Sequence, residues 1–221
     1  IQGAAPVALP GADRDARVLS EADAKAALAA HGLSVPKGVT GVAEVALKAA
    51  EDLTGPLAVK VMGLAHKTGA RGLALGRKDA ADVAAVLPEL AAGPLLIEEM
   101  AQGGLVELLV GVTRDPAHGF LLTLGAGGTL TEILEDTTTL LLPASRAACQ
   151  EALRALRLAP LLAGYRGAPP VCEAALLDAI EAIQAYVLDN ADTVAEVEVN
   201  PLILTESAAI AVDALIRKAP S

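Results

Sequence analysis

Aromatic residues are scarce in this chain of 221 residues, which contains one Phe, two Tyr and no Trp. Surfaces that bind nucleic acid usually combine aromatic side chains, which stack on bases, with a stripe of Lys and Arg. Here aromatic residues are few and the formal net charge is −10. We therefore expect no binding of nucleic acid, whereas a small phosphate ligand requires only that a few basic residues gather at one site.

Long apolar runs are also missing, although 53% of the residues are hydrophobic. No run reaches the roughly 18 apolar residues of a membrane-spanning helix, so we expect no association with a membrane. The two cysteines, Cys149 and Cys172, lack the spacing of a metal site and suit a reducing compartment, which predicts a cytoplasmic protein. We recognise no signal peptide, and the first residue is Ile1 rather than Met, so we expect a fragment or a processed chain.

Helix and strand signals follow one another in a mixed order along the chain. Residues 1–18 are rich in Pro, Gly and Ala, which is typical of a linker or tail. Periodicity and turn residues predict helices over residues 20–32, 42–53, 79–90, 145–156, 160–164 and 172–190. They predict strands over residues 57–62, 73–75, 95–100, 106–113, 120–124 and 130–142 and in a C-terminal hairpin. This order predicts an α+β fold with two lobes, residues 19–100 and 101–217, and a ligand cleft between them.

The C-terminal hairpin carries the most informative cluster of polar residues. Acids and valines alternate from Glu196 to Asn200, as in a strand with one polar face, and a second apolar strand follows a turn. A turn centred near Glu206 places Asn200 opposite Asp213, with Glu198 on the same face. Two carboxylates and an amide oxygen suit Mg²⁺ shared with phosphates. The same pattern also fits a hairpin with one solvated polar face.

Two basic segments are candidates for phosphate chemistry. Lys60 lies within the apolar strand 57–62, where a buried charge needs an anionic partner. It therefore either contacts phosphate or belongs to an edge strand and reaches water. His66 and Lys67 lie in a loop flanked by glycines. A loop histidine can carry a phosphoryl group or act as an acid or base, and it can also be an exposed residue without such a role.

Three further segments are candidates for nucleotide contacts. The strand 95–100 ends in two acids, where backbone groups can read an adenine edge and a carboxylate can bind ribose. The glycine-rich segment 125–128 either cradles phosphate with its backbone N–H groups or forms a plain tight turn. Arg114, which follows the strand 106–113, can bind a terminal phosphate through two hydrogen bonds, and Glu107 on that strand can face the cleft.

These segments, together with residues 19–36 and 159–167, follow one another in a definite order. Taken together they resemble the ATP-grasp domain or subunit of NDP-forming acyl-CoA synthetases, such as ADP-forming acetyl-CoA synthetase and the related succinyl-CoA synthetase β subunit. The resemblance extends from about Leu19 to Ile216 and implies an ATP-grasp fold, two α+β lobes that enclose a nucleotide cleft. The segments that carry it are residues 19–28, 31–36, 58–61, 66–67, 97–100, 107–116, 125–128, 159–167, 198–202 and 212–213.

The resemblance also implies a role for each matching residue. Asn200 and Asp213 would hold Mg²⁺, and Glu198 and Arg114 would take part in catalysis at the phosphate end. His66 would carry phosphate between the nucleotide and a CoA-ligating subunit. Binding of ATP or ADP would fall to Lys60, Lys67, Glu98, Glu99, Met100, Glu107, Gly125, Gly127 and Gly128.

The family reaction converts acyl-CoA, ADP and phosphate into acid, CoA and ATP, reversibly. The CoA-binding and CoA-ligase parts do not lie in this chain, so the resemblance implies a partner domain or subunit that supplies them. The family loop usually runs His-Lys-Ser-Asp-Val-Gly-Gly-Val, whereas this chain has Gly69 and Arg71 at two of those positions. This difference favours an alternative, a regulatory ATP-grasp domain of a larger protein such as a protein acetyltransferase, in which the synthetase chemistry has been lost.

Overall fold

The structure, a computed structural model, describes residues 16–63, 71–128 and 135–219. Its helices are α1 (Glu21–Ala29), α2 (Ala43–Ala50), α3 (Ala80–Val86), α4 (Arg146–Ala155), α5 (Ala159–Leu162) and α6 (Glu173–Asp189). Its first strands are β1 (Arg17–Val18), β2 (Gly38–Gly41), β3 (Leu57–Val61), β4 (Leu73–Arg77), β5 (Leu95–Glu99) and β6 (Val106–Asp115). The remaining strands are β7 (Gly119–Ala126), β8 (Thr137–Leu141), β9 (Val194–Leu204), β10 (Ala209–Ala211) and β11 (Ala214–Lys218).

The described residues divide into two compact units, and each unit contains one antiparallel sheet. The smaller unit is Pro36–Gln102, and the larger unit contains the rest. This mixture of helices and antiparallel sheets confirms the predicted α+β fold. In the part of the chain that the structure describes, no helix has the length and apolar character of a membrane span.

The larger unit is built on a sheet with strand order β1-β11-β9-β6-β7-β8, to which β10 adds by pairing with β9. All pairs are antiparallel. Side chains alternate across the sheet, so Val197 and Val199 of β9 are buried in the core that α1, α4 and α6 cover, whereas Glu196 and Glu198 lie on the opposite face. The sheet therefore has one apolar face and one face that carries polar residues.

The smaller unit has a sheet with strand order β2-β5-β3-β4. Val59 and Val61 of β3 and Ile97 of β5 are fully buried or nearly so, on the face that packs with residues of α2 and α3. Ala58 and Lys60 point to the other face, because side chains alternate along a strand. This arrangement decides the environment of Lys60, since β3 lies between two neighbours rather than at an edge.

The N-terminal helix belongs to the larger unit in the structure, whereas the sequence places residues 19–100 in one lobe. β1 pairs with β11, and α1 contacts β11 and α6, so the chain enters the larger sheet before it forms the smaller one. Ser20 caps α1 by accepting a hydrogen bond from the Asp23 backbone N–H at 3.2 Å, as the sequence predicts.

Most of the predicted helices and strands agree with the structure, and the exceptions are the following. The helix predicted over residues 79–90 ends at Val86, and a 3₁₀ turn, Leu87–Glu89, follows it. Pro88 has no backbone N–H, so it cannot donate the hydrogen bond that would continue the α-helix. The strand predicted over residues 130–142 is Thr137–Leu141 within the described residues. The short strands β1 and β2 were not predicted, because two residues and a Gly-Val-Thr-Gly segment carry little strand signal.

Candidate nucleotide and metal site

The C-terminal hairpin has the predicted register. Towards the turn, Ala209 pairs with Leu204 and Ala211 with Leu202. Further from the turn, Ala214 pairs with Val199. Asn200 therefore lies opposite Asp213, and their backbones bond directly, since the Asn200 N–H donates to the Asp213 carbonyl at 3.2 Å. The prediction of this pairing is confirmed.

Both strands of the hairpin are irregular at this position. β10 ends at Ala211 and β11 begins at Ala214, so Asp213 lies between two strands. On the other side of β9, Leu202 pairs with Leu108 and Val199 with Val110, so that Asn200 and Pro201 both lie opposite one residue of β6. Such bulges redirect side chains and are frequent next to active sites.

The side chains of Glu198, Asn200 and Asp213 influence one another. Burial raises the pKa of the Glu198 carboxyl above its ordinary value, and the carboxylates of Glu196 and Asp213 raise it further. A hydrogen bond with the Asn200 side chain acts in the opposite direction on this pKa. Negative charge is thus concentrated at this position, and a cation would relieve the repulsion.

The glycine-rich segment reaches the same place from β7. The backbone N–H of Gly128 donates to the amide oxygen of Asn200 at 2.9 Å. The carboxylate of Glu107 lies against the Cα atom of Gly128, where any side chain would overlap it. The structure therefore gathers Glu107, Gly128, Glu198, Asn200 and Asp213 beside the bulge in β9.

The other glycines of this segment are required by close packing. A Cβ atom at Gly127 would overlap the backbone of Leu108, and one at Gly125 would lie 2.6 Å from a Thr137 methyl carbon and 2.7 Å from the Asp136 carbonyl oxygen. Gly128 also has a φ of +67°, a conformation that residues with a side chain adopt at a cost. The segment 125–128 can therefore pack closely against β6 and β8 only because these positions are glycine.

This cluster fits a hard divalent cation. Carboxylate and amide oxygens are the ligands that Mg²⁺ takes in proteins, usually together with phosphate oxygens and water. The Asn200 oxygen has two lone pairs, of which the Gly128 N–H uses one. Among the described residues no group of three or more His, Cys, Asp and Glu side chains could hold a metal by itself. The candidate site instead depends on an amide oxygen and leaves positions for phosphate.

Lys60 and Glu98 form a buried ion pair in the smaller unit. Their charged atoms are 3.1 Å apart, and the two side chains are 9% and 4% exposed. The interpretation of Lys60 as an edge-strand lysine that reaches water is therefore wrong. Gly38 on the neighbouring strand makes room for this arrangement, because a Cβ atom there would lie 2.7 Å from the Glu98 side chain.

The next two residues tie the end of β5 to neighbouring loops. The Glu99 carboxylate accepts hydrogen bonds from the backbone N–H of Thr54 at 2.8 Å and from its hydroxyl at 3.0 Å. These bonds hold the pKa of Glu99 below its ordinary value, with a smaller contribution from the charge of Lys37. The Met100 backbone N–H donates to the Pro56 carbonyl at 2.8 Å. Contacts of these residues with a nucleotide stay a prediction.

The remaining predicted residues are not part of the cluster. Arg114 lies opposite Phe120 near the far end of β6, five positions or about 17 Å of strand away from Leu109, which lies beside Asn200. His66 and Lys67 lie outside the described residues, so their roles stay predictions.

Sequence reasoning missed two residues that shape the site. Gly111 pairs with Glu198 across β6 and β9 and leaves open space beside that carboxylate. Asp136 is buried, and its two carboxylate oxygens accept the backbone N–H groups of Arg157 and Leu158, each at 2.9 Å. Neither residue lies in a recognisable motif, and the partners of Asp136 are more than 20 residues away in sequence, so only the fold reveals them.

Comparison with known proteins identifies the family of this chain. The family model of the ATP-grasp domain matches residues 11–217, which is nearly the whole chain. The chain therefore belongs to the ATP-grasp domain family. Within that family it matches the β subunit of ADP-forming acetate–CoA ligases. It is 30% identical over 212 residues to subunit β of acetate–CoA ligase (ADP-forming) II from Pyrococcus furiosus, and the match covers 89% of each chain.

Two further relatives extend the comparison. The chain is 34% identical over 213 residues to a trans-feruloyl-CoA synthase from an unknown prokaryotic organism, covering 90% of this chain but only 30% of that protein. Among solved structures, the dinucleotide-forming acetyl-coenzyme A synthetase 1 of Ca. Korarchaeum cryptofilum aligns with a TM-score of 0.81 and 25% identity, covering 91% of this chain and 93% of that one. That structure contains coenzyme A and Mg-AMPPCP, with its phosphohistidine segment pointing towards the nucleotide-binding site.

Proposed function

We propose that this chain binds ATP or ADP together with Mg²⁺ and exchanges a phosphoryl group between the nucleotide and a histidine, as the nucleotide-binding part of an NDP-forming acyl-CoA synthetase. The observation that carries this proposal is the meeting of Glu198, Asn200 and Asp213 with the Gly128 backbone at the bulge in β9. The Pyrococcus furiosus β subunit supports it, because the chain matches that subunit over nearly its whole length.

The proposal assigns separate tasks to residues of each compact unit. Asn200 and Asp213 hold Mg²⁺, which when bound neutralises charge on the nucleotide phosphates. Glu198 lies beside these ligands and adds negative charge that favours the cation. Lys60 has three N–H donors, so it can pair with Glu98 and still donate to a phosphate oxygen. Glu98, Glu99 and Met100 at the end of β5 line the adenine and ribose side.

The reaction proposed for His66 is a direct transfer. A ring nitrogen attacks the γ-phosphorus of ATP, the bond between that phosphorus and the bridging oxygen breaks, and ADP leaves with the electron pair. The reverse step returns the phosphoryl group to ADP. A partner domain or subunit that binds CoA and the carboxylic acid completes the reaction. The transfer is split into two easier steps, which is the usual benefit of a covalent intermediate.

The test is phosphorylation of histidine in the complete protein, with its CoA-binding part present. ATP labelled at the γ-phosphate should give a label on this chain that is labile to acid and stable to alkali. Addition of the carboxylic acid substrate and CoA should then remove this label and yield acyl-CoA. His66→Ala should abolish the label, whereas His118→Ala, at an exposed turn, should retain it. Binding of Mg-ATP without a label or acyl-CoA would overturn the proposed catalysis and favour the regulatory alternative.

A further inference from the structure

Three successive backbone N–H groups attach the glycine-rich segment 125–128 to three different parts of the larger unit. The donors and their acceptors are Ala126 with the Asp136 carbonyl at 3.0 Å, Gly127 with the Glu107 carbonyl at 2.9 Å, and Gly128 with the Asn200 side-chain oxygen at 2.9 Å. The position of the segment beside the proposed metal ligands therefore depends on where each of the three acceptors is held.

Two of these acceptors belong to strands, whereas Asp136 does not. Glu107 lies within β6 and Asn200 lies within β9. β8 begins one residue after Asp136, at Thr137, and the residue before Asp136, Glu135, has a φ of +45°. A positive φ is unfavourable for glutamate and persists only where surrounding contacts impose it. Contacts outside the strand ladder therefore hold Asp136 in place.

The side chain of Asp136 supplies those contacts. One carboxylate oxygen accepts the backbone N–H of Arg157 and the other accepts that of Leu158, each at 2.9 Å, and only 9% of the Asp136 side chain is exposed. The Arg157 Nε atom lies 3.7 Å from the carboxylate, but its side chain is 77% exposed, so the charge of Arg157 adds little. Two backbone N–H groups need two acceptor oxygens, and an asparagine would turn its own NH₂ group towards one of them.

We propose that Asp136 is a positioning residue of the nucleotide site, which holds the segment 125–128 where Gly128 meets Asn200. The carboxylate attaches Asp136 to residues 157–158, and the Asp136 carbonyl then fixes Ala126 and the two glycines that follow it. The inference rests on the proposed function for the identity of the ligand, Mg-ATP. The attachment itself follows from the hydrogen bonds.

The sign of the effect on ATP binding separates a positioning role from a charge effect. Asp136 and the nucleotide phosphates are both negative, so removal of the Asp136 charge by itself would strengthen ATP binding. Loss of the attachment has the opposite effect, because the Gly128 N–H and the Asn200 oxygen then have to be ordered when the ligand binds. Weaker binding after removal of this negative charge therefore identifies positioning.

Amide hydrogen exchange without nucleotide tests the attachment in the complete protein. In Asp136→Asn, exchange of the Ala126 and Gly128 amides should accelerate at least about tenfold more than exchange of the core amide of Val197 on β9. Val187→Ala, which truncates a fully buried side chain on α6, controls for a general loss of stability. In this control the three amides should accelerate together. Equal acceleration of the three amides in Asp136→Asn would overturn the proposal.

The unaltered protein gives a second reading that does not require the variant to fold. Coupling between two sites is reciprocal, so if the bonds at residues 157–158 favour binding of Mg-ATP, binding strengthens those bonds. Saturation with Mg-ATP should therefore slow exchange of the Arg157 and Leu158 amides by at least about threefold. Unchanged exchange of these two amides in the saturated protein would contradict the connection through Asp136.

Calorimetric titration measures the consequence for the ligand. Mg-ATP should bind at least about fivefold more weakly to Asp136→Asn, under conditions where the urea midpoint shows that the variant is folded. Glu135→Gln, which removes the exposed negative charge next to Asp136, and Val187→Ala should each leave the affinity within about twofold. Unchanged or tighter binding by Asp136→Asn would contradict the positioning role. Failure of the unaltered protein to bind Mg-ATP would contradict the proposed function, whereas exchange without nucleotide would still decide whether Asp136 holds the segment.

Discussion

The backbone N–H of Gly128 donates a hydrogen bond of 2.9 Å to the side-chain oxygen of Asn200. This bond joins the glycine-rich segment to the bulge in β9. The Asn200 side chain also hydrogen-bonds Glu198, so both ends of its amide group are held. One oxygen of the proposed metal site is therefore oriented before any ligand binds, which reduces the cost of ordering it.

Replacing Asn200 tests this orientation. In Asn200→Ala the Gly128 N–H loses this acceptor and the proposed site loses one ligand. We expect Mg-ATP affinity to fall by at least about tenfold and the free energy of unfolding to fall by about 1 kcal/mol. Isothermal titration calorimetry and urea denaturation measure the two effects. Gln150→Ala is the control, and an unchanged affinity in Asn200→Ala would exclude Asn200 as a ligand.

Two glycines of the larger sheet should respond differently to a methyl group. Gly127→Ala places a Cβ atom onto the Leu108 backbone and should destabilise the chain by about 1–3 kcal/mol. Gly111→Ala meets no atom closer than 4.0 Å, so its free energy of unfolding should change by less than about 1 kcal/mol. Urea denaturation of both variants makes the comparison. Equal destabilisation would show that close packing is not the reason for Gly127.

The buried pair in the smaller unit should behave as a coupled unit. Lys60→Met leaves the Glu98 carboxylate buried beside an apolar side chain, which should cost about 3 kcal/mol of unfolding free energy. Adding Glu98→Gln to this variant removes the charge and should recover part of the loss. A double-mutant cycle by urea denaturation measures the coupling. Strictly additive losses would mean that the two side chains do not interact.

Glu99 should contribute to stability in a pH-dependent way. Its pKa is lowered in the folded chain by hydrogen bonds from Thr54, so the carboxylate stabilises the fold above the ordinary titration range of glutamate. That contribution is lost as the pH falls through the lowered pKa. Glu99→Gln should therefore reduce the difference in urea midpoint between neutral and acidic solution. The backbone N–H groups of Ala117 and His118 also lower the pKa of Asp115, so this residue likewise stabilises the fold at neutral pH. Glu99→Gln leaves this second contribution to the pH dependence in place. An unchanged pH dependence would contradict the role of Glu99.

The hairpin register could be predicted from sequence because a short turn fixes the pairing of the residues on both sides of it. The position of Asn200 opposite Asp213 follows from counting outwards from Glu206. The bulge at Asn200 and Pro201 could not be predicted in the same way, since it depends on how β9 pairs with β6, which lies far away in sequence.

The charge on Lys60 illustrates a different limit. Its position in an apolar strand predicted an anionic partner, and the structure contains one, Glu98. The sequence did not identify Glu98, which follows Lys60 by 38 residues and lies on another strand. Local patterns predict which residues are buried, whereas the partner of a buried charge depends on strand order. The same reason explains why Asp136 and Gly111 were missed.

The most direct test of the account is the Mg²⁺ dependence of ATP binding. Calorimetric titrations with and without Mg²⁺ compare the chain with Asp213→Asn, whose folding is verified by its urea midpoint. We predict that Mg²⁺ strengthens ATP binding by at least about tenfold in the chain and that Asp213→Asn loses most of this gain. An equal gain in the variant, or no ATP binding by the chain, would contradict the assignment of the site at Asn200 and Asp213.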